Sequence, residues 1–213
     1  MRYLLPILLV LAALAGCERD EATYVTIDTP FGRMRAVLYD ETPRHRDNFV
    51  RLAEGGFYDS LLFHRVVAGF MIQGGDPDSR DAGRGEQLGV GGPGYTLPAE
   101  IGAPHIKGAL AAARFDDRVN PARESSGSQF YIVQGRITQP EQLDLMAAER
   151  GVSYNETQRD LYATRGGAPQ LDGDYTVFGE LVEGYEVLDR IAAVETDLGA
   201  RPVEDVRMRI TVE

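Results

Sequence analysis

Alternation of apolar and polar positions dominates the chain beyond residue 23. Residues 24–29 (Tyr-Val-Thr-Ile-Asp-Thr) alternate as a strand with one buried face does. Thr29-Pro30-Phe31-Gly32 predicts a turn, and residues 33–39 a second strand that completes a hairpin. The period then lengthens. Thr42 and Pro43 are suited to the N-cap and first position of a helix whose inward stripe is Phe49, Val50, Leu52 and Ala53, and Gly55-Gly56 stops it. His45, among Arg44, Arg46 and Asp47, reads as a solvated helix residue. Residues 58–75 hold a central motif with a strand-like stretch from Phe63, and 108–115 form a strand of small residues. Residues 127–133 alternate, with Gln129 and Tyr131 on one face and Phe130 on the other. Strand resumes over 171–182, with Asp172-Gly173 as a hairpin-type turn. An amphipathic helix over 185–194 and a strand over 203–212 complete the pattern.

Two segments break it. Residues 136–169 predict a helical insertion, with capping-box spellings at Thr138/Glu141 and Ser153/Glu156 and glycine stops at 151 and 166–167. Residues 78–94 carry glycines at 83, 85, 89, 91, 92 and 94 and read as an irregular surface loop. Gly89 to Gly94 satisfies the spelling of a dinucleotide fingerprint, but no strand precedes it, no helix follows it, and Pro93 and Pro98 bracket a turn. Asp76, Asp78 and Asp81 lack calcium-loop spacing and read as solvated loop acids. Many strands, two flanking helices and no repeat predict a mainly β domain, a closed antiparallel barrel.

Composition narrows the partners. With 213 residues, 43% of them hydrophobic, the chain suits one sizeable core. A formal charge of -11 argues against nucleic acid. Residues 3–15 form an apolar run interrupted by Pro6, shorter than the roughly 20 residues a spanning helix needs. It ends Leu14-Ala15-Gly16-Cys17, which resembles the lipobox of bacterial lipoproteins, and Cys17 is the one cysteine. That resemblance implies a signal peptide over 1–16, a lipidated tether over 17–23 and a folded domain over 24–213. Because Arg2 is the one charge removed, the formal charge becomes -12. Acyl chains on Cys17 would be the membrane contact. Glu18 after the cysteine favours the outer membrane, facing the periplasm.

The candidate chemistry centres on residues 63–76. Arg65, a permanent donor, precedes the apolar pair Phe70 and Met71, and Gln73 follows on the same alternation as Met71. Ser128 lacks a nucleophile elbow, and three scattered histidines give no metal-ligand spacing, so no cofactor or metal is expected. His64 alternates away from Arg65 and reads as structural; His105, beside Pro104, reads as a loop residue.

Phe-His-Arg at 63–65, Phe-Met-x-Gln-Gly-Gly at 70–75, Gly-Ser-Gln-Phe at 127–130, Leu-Asp-Gly at 171–173 and Val-Phe-Gly at 177–179 stand in that order. Together they resemble the cyclophilin-type peptidyl-prolyl isomerases over residues 24–212. The resemblance implies an eight-stranded closed barrel capped by two helices, with proline peptides bound on its outer face. It implies Arg65 as the catalytic arginine and Gln73 as its support. Phe70, Met71, Tyr131 and Leu171 would line the proline pocket, with Tyr175 at its rim. Ala113, Arg114 and Gln129 would belong to the groove for preceding residues, Arg114 standing where the family usually has asparagine. Tyr131 replaces the commoner phenylalanine, and its hydroxyl needs water or a polar partner. Gln170 stands where many members carry an aromatic that contacts cyclosporin. The expected activity is X-Pro isomerisation in exported proteins by a monomer; the alternative is a binding module that holds proline segments without turnover. The insertion exceeds a minimal cyclophilin and is expected to shape a wall near the pocket or contact a partner.

Overall fold

The computed structural model describes residues 22–213. The strands are β1 (Tyr24–Thr29), β2 (Gly32–Leu38), β3 (Phe63–Val67), β4 (Met71–Gly74), β5 (Thr96–Leu97), β6 (Ala109–Ala112), β7 (Ser125–Ser126), β8 (Phe130–Val133), β9 (Val177–Glu183) and β10 (Arg209–Val212). The helices are α1 (Pro43–Glu54), α2 (Pro140–Arg150), α3 (Glu156–Thr164) and α4 (Tyr185–Ala192). Eight strands make one antiparallel sheet in the order β10-β1-β2-β9-β6-β8-β4-β3, and β5 pairs with β7 separately. The helical insertion is present as α2 and α3.

Period-two alternation divides the sheet into two faces. Ile27, Met34, Ile72, Leu110 and Ile132 point inward, where Phe49 and Leu52 of α1 and Val187, Leu188 and Ile191 of α4 complete the main core. Met71, Ala111, Tyr131 and Val177 point outward into a second, smaller cluster. The small residues of β6 keep this outer face low.

The expected closed barrel is an open, curled sheet. β3 and β10 are its two ends, and no strand ladder joins them. The start of β3 and the residues just before β3 and β10 come together instead: Phe63 N–H donates to Val206 C=O at 2.9 Å and Met208 N–H to Leu61 C=O at 2.8 Å. Strand 203–212 was expected whole, but only Arg209–Val212 pairs with β1. Residues 206–208 turn aside to meet 61–63, leaving the single bridge Leu62–Arg207.

Contacts distant in sequence override several of the local cap and turn signals. Thr42 makes no side-chain cap on α1; its hydroxyl turns back to Tyr39 C=O. Glu100, distant in sequence, accepts from the Arg44 and His45 N–H groups at 3.2 and 3.1 Å, placing a carboxylate at the helix N-terminus. Neither expected capping box forms. α2 starts after Gln139 without a side-chain cap, and the box on α3 is Asn155 with Gln158. Asp172-Gly173 is not a hairpin turn: Pro169–Leu171 forms a 3-10 turn, and strand resumes only at Val177.

The insertion leaves β8 through Gly135, at φ +65°, where an added Cβ would lie 2.4 Å from Gly167. Arg136 and Gly167 then exchange reciprocal backbone hydrogen bonds, each 3.0 Å. Leu143 and Tyr162 seat the two helices in full burial.

Candidate active site

Arg65 and Gln73 face each other across β3 and β4. Arg65 Nη1 lies 3.3 Å from Gln73 Oε1 and 3.6 Å from Met71 Sδ. Gln73 Nε2 donates to Gln129 Oε1 at 3.1 Å, and Gln129 Nε2 donates to Gly91 C=O at 2.7 Å. This run of amides fixes the orientation of Gln73, so its oxygen is the atom offered to Arg65.

The run begins in the glycine loop, whose shape is set from below. Asp76 is fully buried, not the solvated acid expected from the loop composition. Its Oδ2 accepts from Gly89 N–H at 2.5 Å and Gly91 N–H at 3.3 Å, and Oδ1 accepts from Asp78 N–H at 2.9 Å. No helix follows this loop, in keeping with the rejection of the dinucleotide reading.

A pocket of about 210 Å³ opens beside Arg65 and is lined by Phe70, Met71, Gln73, Ala113, Arg114, Tyr131, Leu171 and Tyr175. Gln129 stands outside it, in an adjoining groove of about 560 Å³ that shares Gln73, Ala113 and Arg114. Met71 and Tyr131 are buried, while Phe70, Leu171 and Tyr175 are partly exposed. The Arg114 side chain is largely committed within the protein: its guanidinium stacks 4.6 Å over Tyr175, and Nε donates to Asp174 C=O at 3.0 Å.

Beneath the pocket lies a polar cluster that the sequence did not reveal. Tyr131 Oη is 2.9 Å from His105 Nε2, and His105 Nδ1 is 2.7 Å from Asp172 Oδ1. The His105 N–H also donates to Asp172 Oδ1, and the hydroxyls of Tyr154 and Tyr162 both donate to Oδ2 at 2.6 Å. Burial alone would raise the Asp172 carboxyl, but bonds from His105 and both tyrosines hold it below its ordinary value. An ionised carboxylate only accepts, so His105 Nδ1 donates to Asp172, and Nε2 lies within hydrogen-bond distance of the Tyr131 hydroxyl. Burial pushes the Tyr131 phenol well above 10. His105 lies in a loop, as expected, but is fully buried. The one available signal was Asp172 itself, a carboxylate set between apolar pocket residues.

The other two histidines are also buried. His45 is not solvated; its Nδ1 lies 2.6 Å from Glu100 Oε2. His64 faces away from Arg65, with neither ring nitrogen hydrogen-bonded, and burial drives its pKa down to about 4.

Comparison with known proteins shows the family. The family model for cyclophilin type peptidyl-prolyl cis-trans isomerase/CLD matches residues 24–212. A Streptococcus pyogenes protein named as a bifunctional phosphatase/peptidyl-prolyl cis-trans isomerase is 40% identical over 89% of this chain, which spans 38% of that relative. A Staphylococcus haemolyticus protein named as a peptidyl-prolyl cis-trans isomerase is 36% identical, over 88% of this chain and 89% of its own length. The crystal structure of a Cryptosporidium parvum cyclophilin type peptidyl-prolyl cis-trans isomerase superposes with a TM-score of 0.64 at 25% identity, covering 91% of this chain and 98% of that one. A second structure of that protein, in the presence of the dipeptide Ala-Pro, gives 0.62 over 89% and 98%. The chain belongs to the cyclophilin-type peptidyl-prolyl cis-trans isomerase family.

Proposed function

We propose that the protein speeds rotation about X-Pro bonds in exported polypeptides, with Arg65 donating to the prolyl amide nitrogen. Peptide resonance sets a barrier of about 18–20 kcal/mol, so uncatalysed X-Pro exchange takes tens to hundreds of seconds. In the twisted amide the nitrogen regains its lone pair. A donor aimed there is stronger in the transition state than in the ground state, which is the condition for acceleration. The observation carrying this reading is the guanidinium held by Gln73 at the edge of a pocket of about 210 Å³ that brings Phe70, Met71 and Leu171 beside it. Phe70, Met71, Tyr131 and Leu171 hold the pyrrolidine ring, with Tyr175 at the rim. The adjoining groove at Ala113, Arg114 and Gln129 takes the residues before the proline. The Ala-Pro dipeptide present with the Cryptosporidium protein supports proline peptides as the substrate class.

Location rests on Leu14-Ala15-Gly16-Cys17, which lies outside the described residues. Lipid on Cys17 would anchor the domain to the envelope, in the outer membrane facing the periplasm. Among the described residues no helix is long and apolar enough to cross a membrane. A protease-coupled assay on a proline tetrapeptide compares wild type with Arg65→Ala. The expected loss in kcat/KM is about 10²–10³-fold. Background rates in both proteins would refute the enzyme and leave a proline-binding module.

A further inference from the structure

We propose that the helical insertion positions Tyr131 in the proline pocket, acting through Asp172 and His105. This rests on the isomerase reading above. Tyr154 and Tyr162 belong to the insertion, and both hydroxyls end on Asp172 Oδ2 at 2.6 Å. The other carboxylate oxygen holds His105 twice, by its backbone N–H and by Nδ1. His105 Nε2 then meets the hydroxyl of Tyr131, whose ring lines the pocket. The His105 and Tyr131 rings lie nearly parallel, 12° apart, with centroids separated by 6.0 Å.

Asp172, His105, Tyr131 and Tyr162 are buried, and Tyr154 is partly so. Asp172 accepts four bonds, two on each oxygen, and His105 uses both ring nitrogens. Rotating His105 or Asp172 would leave buried polar groups unpaired, which favours one arrangement of the network. A phenylalanine at 131 would pack in the same space with no polar hold. The tyrosine gives the pocket wall a hydrogen-bonded anchor, and the insertion supplies the far end of it. Asp172, His105, Tyr154 and Tyr162 are positioning residues; Tyr131 is the one that lines the pocket.

A double-mutant cycle with two readouts tests this. In the otherwise wild-type protein, Tyr154→Phe with Tyr162→Phe lowers kcat/KM by roughly three- to ten-fold. In a Tyr131→Phe background, measured against its own activity, the same pair has no further effect. Equal losses in both backgrounds would make the insertion a general prop and overturn the proposal, as would no loss in either. Asp172→Asn is the second variant and should show the same dependence on the background. The ¹⁵N signals of the His105 ring give a readout independent of turnover: Nδ1 protonated, Nε2 unprotonated, and Nε2 shifted by Tyr131→Phe. A His105 unprotonated at Nδ1 refutes the relay even in an active enzyme. A correct tautomer in a protein that fails to isomerise refutes the isomerase reading and leaves the hydrogen-bonded link standing.

Discussion

Arg65 Nη1 lies 3.3 Å from Gln73 Oε1, and Gln129 takes the other end of the same Gln73 amide. The donor is therefore aimed by a chain of side chains. Gln73→Ala should leave Arg65 charged but free to swing, lowering kcat/KM about ten-fold, mainly in kcat. Steady-state kinetics with a thermal melt checks this; an unchanged kcat would mean that Arg65 needs no support.

Gly135 combines a positive φ with a backbone neighbour 2.4 Å from any added Cβ. Gly135→Ala should cost about 2 kcal/mol or more, lowering Tm by about 4–8 °C. Scanning calorimetry measures it. A shift under about 1 °C would show that the junction yields.

His64 titrates with the opposite sign from an ion-paired histidine. Its folded pKa of about 4 lies below the unfolded 6.5, so the unfolded chain binds the extra proton as pH falls. The stability it contributes is complete above 6.5 and is lost towards pH 4, at about 1.4 kcal/mol per pH unit. Buried His45, whose pKa is also lowered, mainly by burial, adds in the same direction. Urea unfolding of His64→Leu should show a shallower loss between about pH 6 and 4 than wild type; parallel curves would remove His64 as a cause.

Cys17→Ser should abolish acylation and move the protein from the membrane to the soluble fraction after lysis. Unchanged fractionation and unchanged signal-peptide removal would refute the lipid anchor.

Alternation made the outer face readable in advance. Met71, Gln73, Gln129 and Tyr131 were assigned to their faces by period two, and the ordered motifs led to Ala113, Leu171 and Tyr175 around the same pocket. What escaped were bonds between residues far apart in sequence. Glu100 caps α1 from 55 residues away, and Asp172 meets His105 across 67. Neither partner has a local spelling, so nearby Thr42 and Ser153 drew the capping assignments instead. Asp76 and Asp172 look like turn acids by composition. Their burial follows from what the folded chain packs over them.

The paired backbone bonds between Arg136 and Gly167 bear on how such a chain could be altered. The two ends of a long excursion meet at a point already closed by hydrogen bonds, so its contour length is uncoupled from the spacing of β8 and β9. Lengthening a closed loop costs only slowly rising entropy, about 0.6 kcal/mol per doubling. The neck is therefore a natural graft site. Segments that keep Gly135 and the Arg136–Gly167 bonds can be exchanged there while the sheet keeps its register, and the 171–175 segment loses the Tyr154 and Tyr162 hydroxyls on Asp172 together with Arg150, which donates to Asp172 C=O and pairs with Asp174.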